Sequence, residues 1–343
     1  MKKCVWTLTE QYEGKLKTVS FELLARGRGL ADKLGVKLSS IIIGPALGDD
    51  CLEELIFRGA DEVIAVQDKG LKFFSNESYS AILETLIREY EPEIILAAAT
   101  STGRTLMPYT AVKVHAGLTA DCTGLDIEEE TGCLLQTRPA IGGNIMATIK
   151  TPELRPQMAT VRPRSSGPLE KDTSRKGTVI RFSLTDTLPG GGSFPPLKET
   201  RTKVTGYRRE AAGFANLEEA EVIIAGGRGL KKAENFDTLR EIAALLGGEV
   251  GASRDVVDRG WISYPHQVGL SGKTVSPKLY LAVGISGAIQ HLAGIKTSET
   301  IVSVNTDPDA NIHKLADAAI VGDAFVVLGE LKKRLKKAGS GEC

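Results

Sequence analysis

Ser286, Gly287, Ala288, Ile289, Gln290 and His291 follow directly on the apolar run 279–283 and the turn residue Gly284. The run reads as a buried strand, because it is apolar, contains Tyr and Val and shows little alternation. The chain then turns into a predicted helix with Ser286 at its cap. Small residues at such a junction leave backbone N–H groups unpaired, and the helix dipole adds positive potential. That combination favours phosphate. Gln290 and His291 come within one turn, so a bound nucleotide would lie beside two polar side chains. For His291 the residues leave two roles open: a ligand contact or a satisfied core histidine.

Polar or glycine-rich strand ends recur at Gly226 to Gly229, at Ser253 and Arg254, at Asn305 and at Asp323. In an open α/β sheet, ligands bind at the carboxyl ends of the strands. The Gly226-Gly227-Arg228-Gly229 cluster is neither G-x-G-x-x-G nor a Walker A motif. It is either a tight strand–helix turn or a phosphate contact through the Arg228 guanidinium. The polar loop 264–273 contains Gln267, Val268, Gly269, Leu270 and Ser271. Its Gly and Ser density suits close backbone approach to a ligand, although it would also serve as a plain connection. His115, His266 and His313 lack metal-ligand spacing, and five scattered cysteines contain no C-x-x-C. No metal site, zinc knuckle or iron–sulfur cluster is therefore expected. There is no G-x-S-x-G either, so a serine hydrolase triad is unsupported.

The elements that must position these residues alternate. In the first third, strands are expected at 4–8, 38–43, 61–66 and 93–99, and helices at 19–34, 50–58, 77–90 and 103–115. Such alternation implies a mainly parallel sheet with right-handed crossovers. Short strands without intervening helices are expected at 119–125, 133–140, 144–150 and 157–162, as hairpins added to the same sheet. Turn-forming segments flank one more strand at 178–184. After the charged run 201–210 the alternation resumes, with strands at 221–225, 249–252, 279–283, 300–304 and 318–321. The expected division is residues 1–208, an N-terminal α/β domain, and residues 209–343, a doubly wound parallel sheet.

Whole-chain numbers set outer limits. In 343 residues, 43 Lys and Arg balance 43 Asp and Glu, so no global field favours nucleic acid or an anionic membrane. The basic stretch 332–337 reads as the solvated end of the last helix. No apolar run approaches the roughly 20 residues of a membrane span. Scattered thiols fit a reducing cytoplasm.

With these residues in hand, the chain closely resembles the alpha subunit of electron-transfer flavoproteins. The C-terminal half carries the resemblance: Gly226-Gly227-Arg228-Gly229-Leu230, Val250-Gly251-Ala252-Ser253-Arg254, the run from Gln267 to Lys273, the element from Tyr280 to His291, Asn305-Thr306-Asp307-Pro308 and Gly322-Asp323. The resemblance implies a heterodimer with a beta subunit and FAD held mainly by the C-terminal domain. Ser286, Gly287, Ala288, Ile289 and Arg228 would hold the pyrophosphate region, and Asn305 and Asp323 the adenosine end. Ser271 would place its hydroxyl near the redox-active ring nitrogen, His291 would face the pyrimidine carbonyl, and Arg254 would lie against the ring. These last three would tune the flavin, because a donor or cation near a reduced, anionic ring stabilises it. Ser253, Gln267, Val268, Gly269, Leu270, Gln290 and Ala324 complete the implied cofactor-binding set. Leu270 and Ser271 stand where many members have Gln and Thr, which lowers local polarity but keeps the hydroxyl.

Three N-terminal stretches, 117–123, 135–140 and 143–148, resemble members from anaerobic bacteria. That subgroup pairs with NADH and splits electrons between ferredoxin and an acyl-CoA dehydrogenase. A second FAD, or AMP, would lie chiefly in the beta subunit. The expected function is an FAD-based electron carrier, in its bifurcating form. The alternative is a shuttle with a single FAD plus AMP, working between dehydrogenases and a quinone oxidoreductase. An NAD-dependent oxidoreductase is disfavoured by the missing dinucleotide fingerprint. A nucleotide-sensing module without redox work would be excluded by a reversibly reducible flavin.

Overall fold

The computed structural model describes residues 4–140, 145–196, 201–202, 204–206, 217–218 and 220–339. Gly143 and Asn144 of the third N-terminal stretch, the expected boundary segment 207–212, part of the charged run 201–210 and Cys343 lie outside the described residues. The chain divides into two compact units, Met1–Tyr207 and Arg208–Cys343.

The first unit opens with β1 (Cys4–Thr9), a small hairpin of β2 (Gln11–Tyr12) and β3 (Lys15–Leu16), and α1 (Thr18–Leu34). Leu23, Leu24 and Leu30 of α1 are buried, as their helical spacing requires. The helix stops at Gly35, which is left-handed and closes the last carbonyls of Ala31 and Asp32. Then follow β4 (Lys37–Gly44), α2 (Asp49–Phe57), β5 (Glu62–Gln67), α3 (Asn76–Tyr90), β6 (Ile94–Ala98) and α4 (Ser101–Lys113). The remaining strands are β7 (Leu118–Cys122), β8 (Gly124–Ile127), β9 (Leu134–Pro139), β10 (Met146–Ile149), β11 (Gln157–Val161) and β12 (Thr178–Phe182). Seven of them form one sheet in the order β12-β5-β4-β1-β6-β11-β7, every pair parallel. Successive side chains leave a strand on opposite faces. Val5 and Ile42 therefore enter the core under α1 and α2, while Trp6, Ile41 and Ile43 enter the one under α3 and α4.

The hairpins differ from expectation in one respect: they do not extend the main sheet. β8, β9 and β10 make a separate antiparallel sheet, while β11 inserts into the parallel sheet between β6 and β7. The single strand expected at 119–125 is broken in two. Asp121 adopts a left-handed φ of 63°, and the pairing of β7 with β11 shifts register there. After Cys122, still paired with Val161, the chain leaves the main sheet and starts the small one at Gly124.

The second unit contains β13 (Val222–Gly226), α5 (Phe236–Leu245), β14 (Glu249–Ala252), α6 (Arg254–Asp258), β15 (Leu279–Val283), α7 (Ile289–Leu292), β16 (Thr300–Asn305), β17 (Ala318–Val321) and α8 (Ala324–Gly339). All five strands are parallel, in the order β14-β13-β15-β16-β17. Counted within the unit, this is 2-1-3-4-5, a doubly wound order that reverses between β13 and β15. Both faces are covered. Leu281 and Val283 pack with Phe236, Leu239 and Leu328, and the alternate residues Tyr280 and Ala282 pack with Val268, Ile295 and Ile312.

Candidate functional site

At the reversal point the chains leaving β13 and β15 depart to opposite sides and open a crevice. A cleft of about 700 Å³ lies there, bordered by residues that follow β13, β14, β15 and β16 and by the loop at 268–271. Arg228, Ser253, Arg254, Val268, Gly269, Leu270, Ser271, Ser286, Ala288, Gln290, His291 and Asn305 all border it. Twelve residues singled out from four separate strand ends and one loop thus come together.

The glycines after β13 have a packing role. The N–H of Gly227 donates to the carbonyl of Val283 at 2.9 Å, and that of Gly229 to the carbonyl of Gly284 at 3.0 Å. A Cβ on Gly229 would stand 2.6 Å from the Gly284 Cα, and Gly284 itself has φ +62°. Two backbones therefore touch with no side chain between them. The glycines of the Gly226–Gly229 cluster form a tight crossing, and Arg228 and Gly229 border the cleft.

Beyond β15 the expected helix start is corrected. Ser286 is not the cap; α7 begins at Ile289, with Ala288 at the cap position. Gly287 breaks the path with φ +84° and lies so close to the turn at Ile312 that a Cβ would stand 2.3 Å from its backbone nitrogen. A four-residue helix has little dipole. The loop supplies something else. None of the N–H groups of Ser286, Gly287 and Ala288 meets a protein acceptor among the described residues. Successive N–H groups around a left-handed residue make a concave anion site.

The loop before β15 is anchored from both sides. The Val268 N–H donates to the Ala252 carbonyl at 2.9 Å, and the Leu270 N–H donates to the Gln290 carbonyl at 2.9 Å. Gln267 is buried and does not border the cleft, but its Nε2 donates to Ser271 Oγ at 3.0 Å. Tyr264 donates its hydroxyl to the Ser271 carbonyl at 3.1 Å. Leu270 stands 66% exposed on the lip. Arg254 opens α6, 69% exposed, with its Nε 3.1 Å from Asp258.

His291 departs from expectation. Only 6% exposed, its ring is turned into the core: Nε2 lies 3.0 Å from the Tyr280 hydroxyl and Nδ1 3.1 Å from the Val268 carbonyl. A neutral imidazole with its proton on Nδ1 satisfies both contacts. Burial pushes its pKa down to about 4, against a smaller opposing effect of the Val268 carbonyl. No ring nitrogen is left to face a ligand carbonyl.

Gly287, Ile289, Asp323 and Ala324 do not border the cleft. Ile289 is 71% exposed and Ala324 is buried in the core. The Asp323 carboxylate accepts the Phe325 N–H at 2.8 Å and so caps α8. Asn305 is held in place, its Nδ2 donating to the Ile285 carbonyl at 2.9 Å and its Oδ1 accepting the Asp307 N–H at 3.0 Å. Five lining residues were not singled out as site residues: Gly229, Asp255, Gly284, Ile285 and Asp307. Asp307 was within reach of sequence reasoning, because an acidic residue after a later strand is a usual sugar-hydroxyl acceptor in such folds.

Comparison with known proteins follows this division. Residues 5–187 match the electron transfer flavoprotein domain, and residues 216–296 match the electron transfer flavoprotein FAD-binding domain. The chain is 48% identical to the electron transfer flavoprotein subunit alpha of Thermoanaerobacterium thermosaccharolyticum, over 98% of each chain. The chain belongs to the electron transfer flavoprotein alpha-subunit family. It is also 44% identical to Protein FixB of Clostridium saccharobutylicum, over 99% of this chain and 98% of that one. The electron transfer flavoprotein subunit alpha of Clostridium acetobutylicum is 44% identical, over 98% of each chain. The FAD-binding match runs from before β13 through α7 and so takes in the reversal point, its glycine crossing and the loop 267–273.

Proposed function

We propose that this chain is the alpha subunit of a heterodimeric electron-transfer flavoprotein and that its cleft holds one FAD. The reading rests on one observation above the others: the FAD-binding match falls on the unit whose sheet reverses between β13 and β15, where the cleft opens. The N–H groups of Ser286 and Ala288 and the Arg228 guanidinium would hold the pyrophosphate. Asn305 and Asp307 would take the adenosine end. Ser271 would meet the redox-active edge of the ring, with Arg254 beside it and Leu270 covering it from water. Bound FAD supplies one- and two-electron chemistry; the chain supplies orientation, charge and exclusion of solvent. Gln267 positions Ser271, Ser253 borders the cleft beside Arg254, and His291 acts as a neutral pin.

In this reading the beta subunit carries a second nucleotide. The favoured version is NADH-driven bifurcation between ferredoxin and an acyl-CoA dehydrogenase-type flavoprotein, which makes that nucleotide FAD. Support comes from the N-terminal stretches at 117–123 and 135–140 and from identity with proteins of Clostridium and Thermoanaerobacterium. The cytoplasm is the compartment this reading implies, and the described cysteines, Cys4, Cys51, Cys122 and Cys133, are free thiols. The test is acid release and quantification of nucleotides from the complex co-purified with its beta subunit. Two FAD per heterodimer is the expected result. One FAD with one AMP would replace bifurcation by the plain single-flavin shuttle.

A further inference from the structure

We infer that Gln267 fixes the direction of the hydrogen bond that Ser271 offers to the cleft. The inference rests on the proposed placement of a flavin beside Ser271. Gln267 is 3% exposed, and its backbone is clamped: its N–H donates to the Tyr264 carbonyl at 2.8 Å, and its carbonyl accepts the Lys273 N–H at 2.7 Å. With both backbone groups committed, the carboxamide reaches Ser271, and Nε2 donates to Oγ at 3.0 Å.

A serine hydroxyl has one proton and two acceptor lone pairs. The Gln267 N–H occupies one lone pair, so the hydroxyl proton cannot point back at Gln267. The Ser271 carbonyl is already engaged by the Tyr264 hydroxyl. Ser271 borders the cleft, and the free direction for its proton is into it. The site therefore presents a donor there. It pairs with a ring nitrogen that carries a lone pair and not with one that carries a proton. Gln267 is a positioning residue: it never touches the ligand, and its whole effect passes through one hydroxyl. An unassisted serine would rotate between donating and accepting, and part of the discrimination would be lost.

A double-mutant cycle tests this on the complex with its beta subunit, loaded with FAD labelled with ¹⁵N in the ring. Ser271→Ala should move the redox-active nitrogen to lower field and weaken binding of oxidised FAD by roughly tenfold, the worth of one oriented hydrogen bond. Gln267→Met, close in shape but without a donor, should move both readouts in the same direction by a smaller amount. The double variant should match Ser271→Ala alone, because nothing remains for Gln267 to orient. Ser271→Thr, which keeps the hydroxyl, should stay near the wild type. Additive effects of Gln267→Met and Ser271→Ala, or a wild-type signal in Gln267→Met, would overturn the role of Gln267 and leave the flavin placement standing. An unchanged signal in Ser271→Ala would overturn both.

Discussion

Lowering the pH should expose the buried state of His291. Its ring is neutral because two partners fit a neutral ring and no carboxylate among the described residues meets it: Val268 accepts at Nδ1, and the fully buried Tyr280 hydroxyl donates to Nε2. Protonation would set a charge in the core and oppose two donors at Nε2. Desolvation holds the folded pKa at about 4, against 6.5 for the free side chain. Below pH 6.5 the unfolded chain binds a proton that the folded chain refuses. The contribution of His291 is thus fully present above pH 6.5 and is lost as pH falls towards 4. The slope is about 1.4 kcal/mol per pH unit, about 3 kcal/mol in all. Between pH 7 and pH 5 the loss is about 2 kcal/mol, or roughly 6 °C in the melting temperature of a unit this size. The assay is ¹³C-histidine NMR of the FAD-loaded complex with only this subunit labelled, which gives four histidine signals. Unfolding curves of wild type and His291→Asn at pH 7, 6 and 5 accompany it, and the variant should show the flatter dependence. A His291 signal that titrates near 6.5, or parallel curves, would refute the reasoning. A neutral His291 also means that the flavin potential does not respond to it between pH 5 and 8.

Arg254→Ala should lower the flavin midpoint potential, by removing a permanent cation beside the ring, while changing stability by less than about 1 kcal/mol because its pair with Asp258 is exposed; a redox titration with an unchanged potential would remove Arg254 from the tuning set. Gly284→Val should destabilise the second unit by roughly 2–4 kcal/mol, since a side chain at φ +62° strains the backbone and strikes the Gly229 backbone; thermal unfolding and FAD content should fall together. The Cys122 thiol, buried and pushed up to about 11 by desolvation, should resist alkylation at pH 8 in the folded complex and react on unfolding. This subunit alone should bind FAD poorly, because the family resemblance implies a ring site shared between chains; stoichiometric FAD in the isolated chain would contradict that.

Much of the fold was legible because local and global signals agree. The apolar periodicities of α1, α3 and α5 and the short apolar strands at 94–98 and 222–226 each had one reading, and strand–helix alternation left parallel crossovers as the natural topology. The misreadings came from tertiary contacts. A serine–glycine pair reads as a cap, but Gly287 is needed left-handed against Ile312, which delays α7 to Ile289. Asp121 sits left-handed inside β7, where the pairing with β11 slips, and the strand pattern at 119–125 does not show that slip. His291 looked like a ligand because it follows a glycine-rich strand end, yet its orientation is decided by Tyr280, eleven residues earlier on a face the motif does not reveal. The glycines at 227 and 229 were visible, but their purpose required knowing that Gly284 lies across from them.

The central claim is that FAD lies at the reversal point of the second unit. A crystal structure of the FAD-loaded heterodimer tests it most directly. The pyrophosphate should lie against the N–H groups of Ser286 and Ala288, and the ring edge within hydrogen-bond reach of the Ser271 hydroxyl. Flavin density elsewhere, with this cleft empty, would contradict it.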